Sequence, residues 1–188
     1  MSGSITLENR FGVNKMELIS LKYAIFVIVL LVLYYCFPKK YRWYVLLAGS
    51  MAYYVIICKW YVLFIIFTIC TTYGSTIWID KLLKKQNAIV KSHKEDWDRQ
   101  TRKDYKEKGR KKRVAVMLFA LLCNFGILAF LKYIPYAGEL GLLLPLGISF
   151  YTFQSMGYVM DVYREIVEPE KNFLKVALFV SFFPQIIQ

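Results

Sequence analysis

Five long stretches without a single Asp, Glu, Lys or Arg set the terms on which this chain can fold: residues 23–37, 44–58, 60–79, 114–131 and 140–160. An α-helix rises about 1.5 Å per residue, so about 20 apolar residues cross a hydrocarbon core about 30 Å thick. The 188 residues are 57% hydrophobic, above the roughly 45–50% of soluble domains. The excess sits in the uncharged runs, and Lys and Arg cluster between them. This pattern predicts an all-α, polytopic transmembrane helical bundle of about five spans plus a partial element. Four segments follow: a polar N-terminal segment 1–17, three transmembrane helices in 18–79, a basic loop 80–113, and further transmembrane helices in 114–188.

The first span is predicted over 18–37, with Lys22 snorkelling to the headgroups and Pro38 ending the helix. No small-residue cleavage site follows it, so it reads as a retained helix and not a signal peptide. The run 44–58 gives only about 22 Å of helix. Trp43 and Lys59-Trp60 could complete a crossing as interfacial anchors, and a re-entrant element fits equally well. Residues 60–79 and 114–131 are long enough to span. The run 140–160 contains Gly141, Pro145, Gly147 and Gly157 and is expected to be broken or kinked. Residues 161–175 read as a polar connection, and 176–188 as the start of another apolar element.

The net charge of +12 is concentrated. Residues 80–113 hold 14 of the 25 Lys and Arg with six acids, a local charge of +8. A basic segment between apolar runs marks the cytoplasmic side of a membrane and not a nucleic-acid interface. Lys39, Lys40 and Arg42 form the other strong cluster, two crossings earlier. Both clusters fall on one side if residues 44–79 cross twice. The expectation is a multi-pass cell-membrane protein with its N-terminus outside and 80–113 cytoplasmic. Cys36, Cys58, Cys70 and Cys123 each lie in an apolar run without a C-x-x-C spacing, so they are expected to pack as small buried hydrophobes. His93, the one histidine, lies among charges with no second ligand, so neither a metal site nor a catalytic role is assigned to it.

The informative stretch is 145–164, PLGISFYTFQSMGYVMDVYR. It places Ser149, Tyr151, Thr152, Gln154, Ser155 and Tyr158 in an otherwise apolar run. Tyr151, Gln154, Ser155 and Tyr158 follow helical spacings of three, four and seven and form one polar stripe. Such groups at membrane depth face protein or a wet cavity. Two readings stay open: interhelical hydrogen-bonding glue, or the wall of a substrate tunnel, to which Ser149 would also contribute. Asp161 and Arg164 are three apart and are expected to form an ion pair on one helix face.

At this stretch the sequence resembles the membrane-bound O-acyltransferase (MBOAT) family, in particular the bacterial branch of alginate O-acetyltransferases and the teichoic-acid D-alanyl transferase. The blocks that carry the resemblance are 144–154 (LPLGISFYTFQ), 158–164 (YVMDVYR) and 179–185 (FVSFFPQ). Tyr34-Tyr35 with Lys39-Lys40-Tyr41-Arg42, and Asn124-Phe125-Gly126 with Phe130-Leu131-Lys132-Tyr133, fit less specifically. The resemblance runs from about Leu18 to the last residue, and the basic segment 92–113 has no counterpart in it.

The resemblance implies an enzyme that moves an acetyl- or D-alanyl-like acyl group from a thioester donor to a hydroxyl of a cell-envelope polysaccharide or related acceptor. It implies an acyl-carrier protein or acyl-CoA on the cytosolic side as partner, the thioester as co-substrate, and no bound cofactor. The family's membrane-embedded histidine, the general base, lies far downstream of the FFPQ block. No catalytic residue can be carried onto this chain, which by itself is expected to be inactive as the N-terminal portion of an incomplete MBOAT-type fold. The competing reading is a non-catalytic polytopic scaffold or transporter component.

Overall fold

The computed structural model describes residues 24–58, 62–93, 97–133 and 148–182, and every element among them is helical. In chain order these are α1 (Ala24–Cys36), α2 (Arg42–Cys58), α3 (Val62–Ser92), α4 (Arg99–Tyr133), α5 (Ile148–Tyr163) and α6 (Phe173–Ser181). The expectations for 1–17, the 58–60 turn, Pro145, Gly147 and the 183–185 motif lie wholly or mainly outside the described residues.

Two helices among these, α3 and α4, are long and apolar enough to cross a membrane. The expected five spans are not reproduced at that length: α1 has 13 residues, α2 17 and α5 16. For α1 and α5, the apolar runs continue into residues outside the described set.

The chain divides into two compact units, 1–49 and 50–188. In the first, Pro38 has no N–H to continue α1, and Arg42 closes the turn. Its Nε donates to the Phe37 carbonyl at 3.1 Å, and its guanidinium lies over the rings of Tyr34 and Tyr35 at 5.2 and 5.6 Å. Gly49 of α2 lets Leu30 of α1 approach, because a Cβ there would collide with Leu30 Cδ1.

In the second unit α3, α4, α5 and α6 pack together, with α3 touching all the others. The centre is apolar, built from Ile79, Ala120, Met156, Val159 and Val162. Next to it α3 buries small polar residues: Thr68, Thr72, Ser75 and Thr76. Ser75 and Thr76 return their hydroxyls to the Thr72 carbonyl at 3.0 and 2.9 Å. Small side chains let helix backbones approach closely where no hydrophobic driving force separates protein from lipid. Asn124 of α4, almost fully buried, donates to Thr71 Oγ1 at 2.9 Å and to the Ala120 carbonyl at 2.8 Å, tying the two long helices.

Three expectations are corrected. Within the basic 80–113 segment, expected as a loop, the chain is helical over 80–92 and 99–113, because α3 runs on to Ser92 and α4 begins at Arg99. Lys, Arg, Glu and Gln are good helix formers, and the apolar halves supply the nucleus from which the charged halves propagate. The last element starts at Phe173, with Asn172 as N-cap accepting from the Leu174 N–H at 3.0 Å. Cys36 and Cys70 are exposed on their helices, and Cys123 is half-buried. An exposed position in an apolar run suits a thiol that meets lipid as well as it suits a leucine, so apolar context did not imply burial in protein.

Candidate functional site

The polar residues of α5 divide between two environments. Tyr151 and Ser155 turn into the helix bundle, 3% and 0% exposed, and Ser155 donates to the Tyr151 carbonyl at 2.6 Å. Gln154 and Tyr158 instead face α6 across a cleft of about 510 Å³. Gly157, Asp161, Val167, Glu170, Lys175, Val176 and Phe179 complete its wall. Ser149, half-buried, is not in the cleft. The stripe at spacings of three, four and seven is therefore real as geometry, but its one edge packs and its other edge lines a cavity.

The cleft is held open by bonds that fix the 164–172 connection. The Glu170 N–H donates to the Tyr158 hydroxyl at 2.8 Å. Tyr73 of α3 donates to the Lys171 carbonyl at 3.0 Å, and its ring meets Phe173 edge-on at 5.3 Å. These contacts seat the start of α6 against α3. Gln154 Nε2 donates to the Phe179 carbonyl at 3.1 Å, while its Oε1 is buried without a hydrogen-bond partner. A buried carbonyl oxygen without a partner is costly and available to a donor on a bound molecule. Gly157, exposed on the cleft wall, leaves open space there, with no atom of another element within 4 Å of where a Cβ would stand.

The charges at the cleft are a carboxylate pair and one ammonium. Glu170 accepts from the Asn172 N–H at 3.1 Å and sits 3.4 Å from Lys175 Nζ. The Asn172 N–H is the main reason its carboxyl is held below the usual value; slight burial opposes this, and Lys175 assists. Asp161 also lines the cleft.

No ion pair joins Asp161 to Arg164. The Arg164 N–H still reaches the Met160 carbonyl at 2.9 Å, so spacing places the two residues on one face without joining them. The chain closes there in a Schellman turn: the Ile166 N–H reaches the Asp161 carbonyl at 3.0 Å and the Glu165 N–H reaches Val162 at 3.1 Å. Glu165 occupies the left-handed position, φ 63°, where glycine is usual. Its carboxylate takes the Arg113 guanidinium at 2.6 Å, and Arg113 is largely buried. The ion pair formed is thus Arg113–Glu165, between α4 and the turn after α5 and 52 residues apart in sequence, and no local spacing announces it. His93 is exposed at the end of α3, its Nδ1 within 3.0 Å of Ser92 Oγ and its ring stacked on Trp97 at 4.9 Å.

Sequence reasoning missed the whole α6 side of the cleft: Glu170, Lys175, Val176 and Phe179. One signal was present. Asn172 before an apolar run is an N-cap pattern, and reading it would have brought Lys175 and Val176 onto a helix.

Parts of the chain match known proteins. It is 50% identical over 46 residues to the probable alginate O-acetylase AlgI of Pseudomonas aeruginosa, covering 24% of this chain and 9% of that protein. It is 39% identical over 70 residues to the protein of the same name in Azotobacter vinelandii, 37% of this chain and 13% of that one. It is 32% identical over 107 residues to the peptidoglycan O-acetyltransferase of Helicobacter pylori, 38% of this chain and 20% of that one. The matched regions thus span a fifth or less of these relatives' length. No family model and no solved structure matches. The likeness is to O-acetyltransferases and supports a relationship to an acyltransferase family, without singling out one branch of it.

Proposed function

We propose that this chain forms part of a membrane O-acyltransferase that moves an acyl group from a thioester donor to a hydroxyl of a cell-envelope polysaccharide. The partial likeness to two kinds of O-acetyltransferase carries this reading. In such a transfer the hydroxyl oxygen attacks the thioester carbonyl. A C–O bond forms, the C–S bond breaks, the sulfur leaves as a thiolate that takes up a proton, and a base receives the hydroxyl proton. The contribution assigned to the described residues is substrate binding. The α5–α6 cleft would form one wall of the substrate path, with Gln154 Oε1 accepting from a donor group on the acceptor or on the acyl carrier. Two apolar helices of spanning length support the membrane setting. Cytoplasmic placement of the basic 80–113 segment, next to a cytosolic acyl-carrier protein or acyl-CoA, is part of the same proposal.

The test is Gln154→Leu in membranes that carry the protein, with ester-linked acyl groups on the polysaccharide measured after mild base release. The variant gives up the bond to the Phe179 carbonyl, so a stability loss of about 0.6 kcal/mol is expected, together with a fall in acyl transfer per folded molecule of at least tenfold. If Gln154 is only glue between α5 and α6, stability falls by about 0.6 kcal/mol, or up to roughly 2, and transfer per folded molecule is unchanged. That second outcome would remove the cleft from the substrate path.

A further inference from the structure

The α3–α4 pair carries a second concavity, separate from the α5–α6 cleft. Its lower part is apolar, about 460 Å³, walled by Trp78 and Leu82 of α3 and Phe119 of α4. Its upper part, about 540 Å³, is walled by Lys85, Lys108 and Lys112. Leu82 and Lys112 line both parts, so they form one groove along the two helices. The spacing explains this. Residues 78, 82 and 85 share a face of α3, and 108, 112 and 119 share a face of α4.

The groove crosses from the uncharged to the charged parts of α3 and α4, where a lipid–water boundary would fall. The uncharged runs of α3 and α4 stop at Ile79 and start at Val114. Lys112 is two residues beyond that boundary, and Lys85 and Lys108 are six beyond it, about 9 Å along the axis. The headgroup layer is roughly 5–8 Å deep on each side, within reach of a lysine side chain. Trp78 lies where indoles gather at membrane interfaces. Trp78 and Phe119 are 57% and 66% exposed, so among the described residues no side chain covers the apolar part. Among the described residues no carboxylate lies within ion-pair distance of Lys85, Lys108 or Lys112; the nearby Lys111 is paired with Glu107 at 3.2 Å. The upper walls are locked together: Gln86, 6% exposed, fills the space that Gly109 leaves and donates to the Lys106 carbonyl at 2.9 Å.

We propose that this groove binds an anionic glycerophospholipid, with an acyl chain along Trp78 and Phe119 and the phosphate headgroup among Lys85, Lys108 and Lys112. An apolar trough that opens directly into three unpaired cations matches the sequence of chemistry along one such lipid, chain then phosphate. A nucleic acid or an acidic soluble protein would match the lysines and leave the trough empty.

The test uses Trp78 as the reporter, with Trp43, Trp60 and Trp97 replaced by Phe. The protein is reconstituted in phosphatidylcholine vesicles that contain either brominated phosphatidylglycerol or brominated phosphatidylcholine, because bromine quenches an adjacent indole. The phosphatidylglycerol is expected to quench at least tenfold lower mole fraction. Each lysine near the surface is worth about fivefold in attraction to anionic lipid, so Lys85→Gln with Lys108→Gln and Lys112→Gln should erase the preference. Should that variant not fold, raising salt from 0.05 to 0.5 M on the unaltered lysines should reduce the preference severalfold, because the Debye length shrinks across that range. Equal quenching by the two lipids, or a preference that survives both the triple substitution and salt, overturns the proposal. Displacement of the lipid by millimolar glycerol phosphate would show a site for the phosphate alone, and displacement by a single-stranded oligonucleotide a nucleic-acid surface; either result overturns it too. None of these readouts depends on acyl transfer, so the site stands or falls apart from the proposed activity.

Discussion

The α3–α4 groove and the α5–α6 cleft are built from the same parts and finish differently. In each, a glutamine on one helix donates its Nε2 to a backbone carbonyl of the next, Gln86 to Lys106 and Gln154 to Phe179, and keeps a buried Oε1 without a partner. Each also has a glycine inside a helix. At Gly109 the missing side chain is replaced by Gln86, whose Oε1 lies 2.5 Å from where a Cβ would stand. At Gly157 nothing replaces it. A glycine in a helix costs about 1 kcal/mol relative to alanine. In the groove that cost is offset by a closer seam between helices. In the cleft the return is empty volume next to polar groups. The comparison teaches that of these two helical glycines one makes a tight contact and the other leaves open space beside a cavity, and the neighbouring helix decides which.

The largest effect should come from filling that open space. Gly157→Phe puts a ring into the cleft, and acyl transfer per folded molecule is expected to fall at least tenfold, with little change in melting temperature. Unchanged transfer would show that the cavity is not on the substrate path and would make the two glycines equivalent in function. The junction between the two regions comes next. Glu165→Gly relieves a left-handed residue, a gain of about 1 kcal/mol. It also strips Arg113 of its partner, and breaking a buried pair costs about 3–5 kcal/mol. Glu165 is half exposed, so the net loss should be nearer 1–2 kcal/mol, read from chemical denaturation in detergent. A more stable variant would mean that Arg113 finds other partners and that the ion pair does not hold the turn.

Alanine at both glycines sharpens the comparison directly. Gly157→Ala should gain about 0.5–1 kcal/mol, since nothing opposes the better helix propensity. Gly109→Ala should gain the same and lose about as much, because Gln86 must swing out and give up a hydrogen bond worth about 0.5–1.5 kcal/mol. A difference of about 1 kcal/mol between the two variants is therefore expected. Equal responses would show that Gln86 adjusts without cost.

How far this architecture could be read in advance depends on the kind of signal involved. The uncharged runs gave α3 and α4 their apolar halves, because burial in lipid needs only composition and length. The charged halves did not read as helix: 80–92 and 99–113 have no apolar face, and their helicity is inherited from the segments they continue. The stripe Tyr151, Gln154, Ser155 and Tyr158 was legible as a face, since helical periodicity is local. Its division into a packed edge and a cavity edge was not, because that depends on where α6 lies. Arg113–Glu165 was hidden because it depends on how α4 meets the turn after α5, and the three-residue spacing of Asp161 and Arg164 allowed a pair that the structure does not form. Asn172 shows the reverse case, a local capping signal that was present and outweighed by the charge of Lys175.

The smallest expected effect concerns a titrating group on the cleft wall. Glu170 is held below its usual value, first by the Asn172 N–H and then by Lys175, against a slight opposing burial. A carboxylate with a depressed folded-state pKa adds stability that is fully present above its unfolded value and fades as pH falls through the folded one. The window therefore opens near the unfolded value of 4.5 and extends below it. The side chain is 40% exposed, so solvent screening keeps the contribution small. Comparing the melting temperature of wild type with Glu170→Gln from pH 7 down to 3 should show wild type slightly ahead at neutral pH. The two curves should converge as the carboxyl takes up its proton. Acyl transfer should follow the same acid limb only to the extent that the 164–172 connection loosens, since Glu170 positions the wall through the Tyr158 and Asn172 bonds. A gap that stays constant down to pH 3 would assign the benefit of Glu170 to shape and not to charge. The cleft would then be held by Tyr73 and Tyr158 alone.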